Sequence, residues 1–549
     1  MTTAQHILTG GTILTMDPAQ PTAEAVALAE GRILAVGRQA DILALAGPNT
    51  LREDLRGNTL LPGLIESHTH ALWGACRDLY QVYVGYQASL SQLAQAIAAR
   101  AATLAPGTWI TGGPWRLDMQ DSLPDTPRAW LDAIAPAHPV AIADTTQHAM
   151  WCNSAALAQA GLADGCAPIP GGVVGQEGPE GRLTGFLAEA ACGPVRAQTR
   201  FTPAQLDAAC AQAVRYFNSL GYTGFKEPSA QAEDLGAYAR AYDRGALSLH
   251  AAAHIAAFSP LSGSTMPLAE IDALVARFGR TGLNLRFTKL FLDGVAPALT
   301  ASFLAPYLPR PGYDPAHHSP DATLLLPPEQ LNQLVTAHDA AGYTVKMHAV
   351  GDNAARRGLD AIAAARQANG PAGPRHEIAH STFIDDADLP RFAALNAVAE
   401  VSPKLWMPNA ATAAQRAVLG QARLSQVHRI RSLLQAGAEV IFGTDWPAAA
   451  PDANPWSGLA GMISRADPSG VFPGQVAPDQ AISLAQALPL FTRNAARAMG
   501  LEGETGMLRA GLSADFIIVP GTLTEMSTAD IAATLPVRTV FKGAAVFEG

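Results

Sequence analysis

The chain is short of charge, of cysteine and of long apolar runs, and each shortage excludes something. Only 15% of its 549 residues are charged, and 37 Lys and Arg stand against 47 Asp and Glu for a net charge of −10. No basic cluster interrupts that excess, which argues against nucleic acid or an anionic membrane surface as a partner. The five cysteines, Cys76, Cys152, Cys166, Cys192 and Cys210, form no Cys-x-x-Cys pair, so neither a disulfide framework nor a thiolate zinc site is expected. A reducing, cytoplasmic location fits that usage. No apolar run approaches the ~20 residues of a membrane span. The opening "MTTAQHILTGGTILTMD" has no basic segment followed by an apolar one, so a soluble protein without a cleaved signal is expected.

What is present is core-forming material. With 48% hydrophobic residues in 549, the chain can bury a large core and is too long for one ordinary domain. Both ends read as short strands broken by Gly and Pro: "HILTGGTILTMD" and "AVALAEGRILAVG" at one, "SADFIIVPG" and "TVFKGAAVFEG" at the other. Gly10-Gly11 and Glu30-Gly31 are expected at hairpin tips. The simplest organisation is one small β-domain built from residues 1–60 and 499–549, with a larger domain, 61–498, inserted between them.

That middle region alternates buried-type strands with Ala-rich helical stretches such as "PEQLNQLVTAHDAAG". Its candidate strands are "LPGLIESHTH", "GYTGFKEP", "LSLHAAAHI", "LRFTKLFLDG", "YTVKMHAVGD", "RHEIAHS", "AVAEVSP" and "EVIFGTDWP". Eight strands separated by helices predict a (β/α)8 barrel, of α/β class. The stretch between the first two exceeds one crossover, so an insertion is expected at about 75–205, including "WITGGPWRLD" and "QHAMWCNSAALAQAGL".

Polar groups recur at the C-terminal ends of these strands: His68 and His70, Lys289, His348, His380 and Asp445. In a parallel barrel those ends converge on one face, and imidazoles with a carboxylate suit zinc or a similar divalent ion. Alone, His-x-His is a weak signal, because alternation puts any such pair on one face of a strand. A lysine fits the cluster only as a carbamate formed with carbon dioxide, which a buried neutral amine beside metal charge would favour. Lys289 is the first candidate. Lys226 in "GFKEP" is the alternative, and Glu227 beside it could supply an ordinary carboxylate bridge.

The ordered set "LPGLIESHTH", "TQHAMWCNSAALAQAGL", "GGVVGQEGPEGRLTGFLAEAA", "KLFLDG", "HAVGDNA", "HEIAHS", "GTDWP", "NPWSGL" and "GMLRAGLSADFIIV" resembles the amidohydrolase superfamily over nearly the whole length. Within it, the chain is similar to the amidohydrolase-3 branch that includes N-substituted formamide deformylase-like enzymes. The resemblance implies a (β/α)8 TIM barrel with a composite β-sandwich from both chain ends. It implies two divalent ions, zinc first: His68 and His70 as ligands of the more buried one, Lys289 as the carboxylated bridge, His348 and His380 on the second. Asp445 would be ligand and proton shuttle, and His148 a hydrogen-bond donor to the transition state or a packing residue.

The reaction so implied is hydrolysis of a small N-acyl or N-formyl amine by a metal-bound hydroxide. Ester, lactone or phosphoester hydrolysis on the same site, or a non-catalytic metal-stabilised binding protein, are the alternatives. Trp115, Asp293, His254 and Trp406 are secondary candidates for substrate contact, and packing or loop organisation is the competing reading for each. Self-association into a dimer or tetramer is expected by analogy only. Two departures from the family pattern stand out: Glu66 where Asp is usual, and "SPKLWMP" after the seventh strand, where Lys404 either meets a substrate carboxylate or is a solvated loop residue.

Overall fold

The computed structural model describes residues 3–145, 149–259, 263–311, 313–405, 407–448 and 450–549. Eight parallel strands follow one another in spatial as in chain order. They are β1 (Leu64–Glu66), β2 (Tyr222–Ala230), β3 (His250–Ala256), β4 (Leu283–Phe291), β5 (Thr344–His348), β6 (Glu377–Ala379), β7 (Val398–Val401) and β8 (Glu439–Phe442). The ring closes where the Ser67 N–H donates to the Phe442 carbonyl at 3.0 Å, joining the ends of β1 and β8. This is the TIM-type barrel that the strand and helix alternation predicts.

Local sequence explains why the barrel packs tightly. The helix Asp352–Asn369 buries Ala354, Ala355, Gly358, Ala361 and Ala365. Such small side chains bring its axis close to the strands, and a Cβ at Gly358 would lie 2.7 Å from Ile378 Cδ1. The helix stops at Gly370, whose φ of 102° suits glycine and little else. "PEQLNQLVTAHDAAG" forms the helix Pro328–Ala340, with Leu331 and Val335 on its buried side.

The chain ends share a second eight-stranded sheet. Its first five strands are Ala4–Leu14, Thr22–Ala29, Arg32–Gly37, Ala46–Asp54 and Thr59–Pro62, and the last three are Phe516–Val519, Arg538–Phe541 and Ala544–Glu548. The two ends meet where Thr59–Pro62 runs antiparallel to Phe516–Val519. Glu30 and Gly31, at φ 53° and 73°, make the hairpin tip expected of them. Gly10-Gly11 do not form a turn. They lie inside the first strand at a register shift between Thr9 and Ile13, where pairing passes from Ala46–Asp54 to Thr59–Pro62. Gly10 takes φ 74°, and Gly11 has no room for a Cβ against Asn58 and Leu55, so the glycines serve a bulge. His250, at the start of β3, pairs with Asp515 at 2.7 Å and ties the barrel to this sheet.

Residues 72–210 form a compact unit of their own. It contains a six-stranded sheet and a core in which Trp115, Trp151, Leu93, Ile97 and Leu131 are buried. No helix among the described residues is long and apolar enough to cross a membrane.

Candidate metal centre

The C-terminal ends of β1 and β8 build one side of the site. His68 and His70 follow β1, and Asp445 follows β8, with Asp445 Oδ1 3.5 Å from His68 Nε2 and 3.6 Å from His70 Nε2. The backbone is cross-tied there: the Asp445 N–H donates to the His68 carbonyl at 2.8 Å, and His70 N–H to that of Trp446 at 2.8 Å. Glu66 adds to this clamp, since its Oε1 accepts both the His68 N–H at 2.9 Å and the Thr444 N–H at 3.0 Å. Burial raises its carboxyl to about 8. The unusual Glu66 therefore fastens two strand ends and leaves the ligands in place.

Around the ring, the imidazoles follow in sequence. The His68 and His380 ring centroids are 4.8 Å apart, and those of His380 and His348 are 4.6 Å apart. His380 and Asp445 take left-handed φ of 68° and 58°. Each such non-glycine residue costs roughly 1–3 kcal/mol and persists where the surroundings hold it, as functional sites do. His348 directs Nε2 to the Gly294 carbonyl at 3.3 Å, which leaves Nδ1 for another partner.

Electrostatics favour ligands in the neutral form. Burial first, then nearby Lys and His charges, push His68 and His380 well below the ordinary imidazole value and His348 down to about 4. His70 differs. Burial, its largest single influence, lowers it, but the hydrogen bonds and charges of Asp445 and Glu227 together outweigh burial and raise it to about 9. Ligation there would release a proton.

Two sets of ligand atoms gather within 4.8 Å of one another: His68, His70 and Asp445, and His68, His380 and Glu400. The imidazole and carboxylate donors of the first set fit a divalent ion, whereas in the second the Glu400 carboxylate is turned to the other nitrogen of His68. Nδ1 of His68 lies 2.5 Å from Glu400 Oε1, and Nδ1 of His70 lies 3.4 Å from Glu227 Oε1. Carboxylates on the remote nitrogens are the usual supports of metal-ligating histidines.

Lys289 is buried on β4, with no hydrogen bond or ion pair among the described residues. Burial, reinforced by the Lys346 ammonium, lowers its amine to about 7. The alternative, Lys226, is committed to an ion pair with Glu377. Glu227 is likewise engaged, accepting from the Ala71 N–H at 2.9 Å and the Tyr238 hydroxyl at 2.7 Å.

The secondary candidates fall in different places. Asp293 is buried and accepts the N–H groups of Ser302, Val350 and Gly351 at 2.9–3.0 Å, an organiser of the loops after β4 and β5. His254 is fully buried on β3, its Nδ1 3.1 Å from the Glu227 carbonyl and its Nε2 3.7 Å from Glu377 Oε2. Trp115 stacks on Trp151 at 4.3 Å and donates to the Ile142 carbonyl at 3.0 Å, so its ring serves the core of residues 72–210. His148 and Trp406 lie outside the described residues. Lys404 is neither solvated nor unpaired: it is buried and bonded to Asp452.

Sequence reasoning missed Glu400, Lys346 and Glu377. All three are fully buried inside the barrel. Their only signal was a charged residue inside an otherwise apolar strand run, as in "AVAEVSP" and "YTVKM".

A parallel barrel with imidazoles and carboxylates gathered at the C-terminal ends of its strands defines the class, a metal-dependent barrel hydrolase. The profile of the Amidohydrolase family matches residues 53–547, and the chain belongs to that family. It is 28% identical over 547 residues to protein LONG AFTER FAR-RED 3 of Arabidopsis thaliana, covering 97% of this chain and 90% of that protein. With N-substituted formamide deformylase of Arthrobacter pascens it shares 24% identity over 557 residues, 98% of this chain and 97% of the other. An uncharacterized metal-dependent hydrolase of Pyrococcus horikoshii OT3 has the same fold, with a TM-score of 0.75 at 22% identity over 95% of this chain and 99% of that one.

Proposed function

We propose that the protein hydrolyses a non-peptide C–N bond in a small N-acyl or N-formyl amine. The observation that carries this reading is the gathering of His68, His70 and Asp445 within 4.8 Å at the barrel mouth. The similarity to an N-substituted formamide deformylase supports the amide-type substrate. Two divalent ions, zinc first, would be held by His68, His70 and Asp445 on one side and by His348 and His380 on the other, with carboxylated Lys289 between them. Bound there, such ions supply Lewis acidity and make water acidic enough to act as a nucleophile near neutral pH.

The chain's own residues do the rest. Asp445, close to both Nε2 atoms, takes the proton of the attacking water and returns it to the departing nitrogen. Glu66 holds the two strand ends that carry His68 and Asp445 at a fixed separation. A Lys289 amine with no ion pair among the described residues, lowered by burial to about 7, supports the carbamate at that position, and the Lys226–Glu377 ion pair speaks against the alternative. His148 is proposed, on its motif alone, as donor to the developing oxyanion.

The test combines metal analysis with turnover. Protein purified with zinc and bicarbonate is expected to hold about two metals per chain, falling to one or none in His68→Ala and Lys289→Ala. Asp445→Asn should lower turnover of N-formyl or N-acyl amines by roughly 10²–10⁴ with little change in Tm. One metal, indifferent to Lys289→Ala, overturns the bridge. Turnover of esters or lactones but no amide would transfer the reading to those substrates, and a metal-free, inactive chain would leave a binding protein.

A further inference from the structure

We infer that Glu400, held by Lys346, is a positioning residue that fixes the tautomer of His68 and so presents its Nε2 to the metal. The inference rests on reading His68 as a ligand. Glu400 sits on β7 with no exposure, and its Oε1 lies 2.5 Å from His68 Nδ1. Its Oε2 accepts from Lys346 Nζ, and the same ammonium donates to the carbonyl of Ser67 at 2.7 Å, one residue before His68. Lys346 also lies 3.3 Å from Glu377 Oε2, and Glu377 is paired with Lys226. Two cations and two anions thus form a neutral, fully buried chain that ends on the first histidine of the site.

The geometry gives that chain a purpose. A carboxylate engaged by an ammonium accepts hydrogen bonds and donates none, so the proton of the His68 imidazole resides on Nδ1. The lone pair then resides on Nε2, the nitrogen 3.5 Å from Asp445 Oδ1. In the other tautomer an N–H would face the ligand position and the metal would meet a proton. Lys346 restrains the ring twice, through the main chain at Ser67 and through the carboxylate at Glu400. No step of the proposed hydrolysis uses either residue, and apolar residues of like volume would fill a barrel interior at lower desolvation cost. Orientation is what the charges supply.

The test separates positioning from folding. Glu400→Gln puts an amide that can also donate beside Nδ1 and leaves Lys346 with one carboxylate fewer. Titration of metal-free protein with Co(II), followed by its visible absorption, should show binding at least about tenfold weaker, the usual scale for a lost outer support, with altered bands. Glu400→Gln combined with Lys346→Met removes one charge of each sign. Its Tm should recover towards that of the unaltered protein while Co(II) binding stays weak.

Affinity that recovers together with Tm overturns the inference, and so does Glu400→Gln binding Co(II) like the unaltered protein. If Glu400→Gln does not fold, the paired variant and ¹⁵N spectra of histidine-labelled, unaltered protein decide. An Nδ1–H signal for His68, identified by its loss in His68→Ala, supports the inference, and an Nε2–H signal overturns it. Failure of the unaltered protein to bind Co(II) at all overturns the metal-dependent reading itself and this inference with it, whereas intact Co(II) binding that only Glu400→Gln leaves unchanged overturns the positioning role alone.

Discussion

The end sheet and the barrel interior solve the same burial problem with opposite materials. The end sheet buries Leu8, Ile13, Val26, Leu60, Phe516, Ile518 and Val540 against one another. Charged pairs such as Arg538–Glu53 and Arg32–Glu504 stay partly exposed at its margin, and the buried Asp515 pairs with His250 where the sheet meets the barrel. The barrel interior instead encloses Lys226, Lys346, Glu377 and Glu400 with His254 among them, all without exposure. An apolar core answers to volume, because its stability comes from burial and close packing. A core of paired ions answers to charge balance, because each ion is tolerable only while its partner is present. The barrel therefore gains a fixed orientation at its mouth and the end sheet gains none.

That contrast can be broken at several points. The largest effect on stability is expected from Glu377→Leu, which leaves Lys226 and Lys346 short of a counter-charge and should cost about 3–5 kcal/mol. The paired Glu377→Leu, Lys226→Met variant should recover most of that loss in denaturant titrations, and a paired variant no more stable than the single one would refute the charge-balance account. Next comes Gly443→Ala. A Cβ there runs into His68 Cβ, so the variant should lose about 1–3 kcal/mol and bind metal less tightly. Unaltered metal binding in a folded Gly443→Ala protein would show that His68 has slack.

In the end sheet, Ile13→Val should cost only about 0.5–1.5 kcal/mol and leave metal content unchanged. A loss of metal there would mean that the two regions are coupled.

The smallest effect is one of pH, beneath the barrel. Burial, the largest influence on Asp339, raises its carboxyl, but His376, Asn369 and Arg366, at 2.5–2.9 Å, outweigh it and hold the group at about 2. A depressed folded value means that this stabilisation is complete above the ordinary carboxylate range and is lost as pH falls through about 4 towards 2. Asp339→Asn should therefore lower Tm near neutrality and flatten its decline between pH 5 and 3. Equal slopes in the two proteins would remove Asp339 from the acid response.

Much of this was legible in the chain. The strands that end in His68, His348, His380 and Asp445 carry both an apolar run and a polar terminus, and a parallel barrel turns those termini into one face. Gly10-Gly11 were misread because a glycine pair whose first member takes a positive φ looks alike in a turn and in a bulge. Which one forms depends on partner strands far along the chain. Trp115 was ambiguous for a related reason, since a motif tryptophan reads the same whether its ring faces a ligand or, as here, stacks on Trp151.

By itself, then, the sequence determined the alternation that makes a barrel, the family, and the residue types that can hold a metal, because periodicity and side-chain chemistry are local properties. Tertiary structure alone decided which charges meet. Glu400 finds His68 across 332 positions and Lys346 across 54, and Glu377 finds Lys226 across 151. Such pairings arise from strand order and register around a closed ring. A charged residue in an isolated strand reads as one that faces water, and only closure of the barrel turned these inward and gave each its partner.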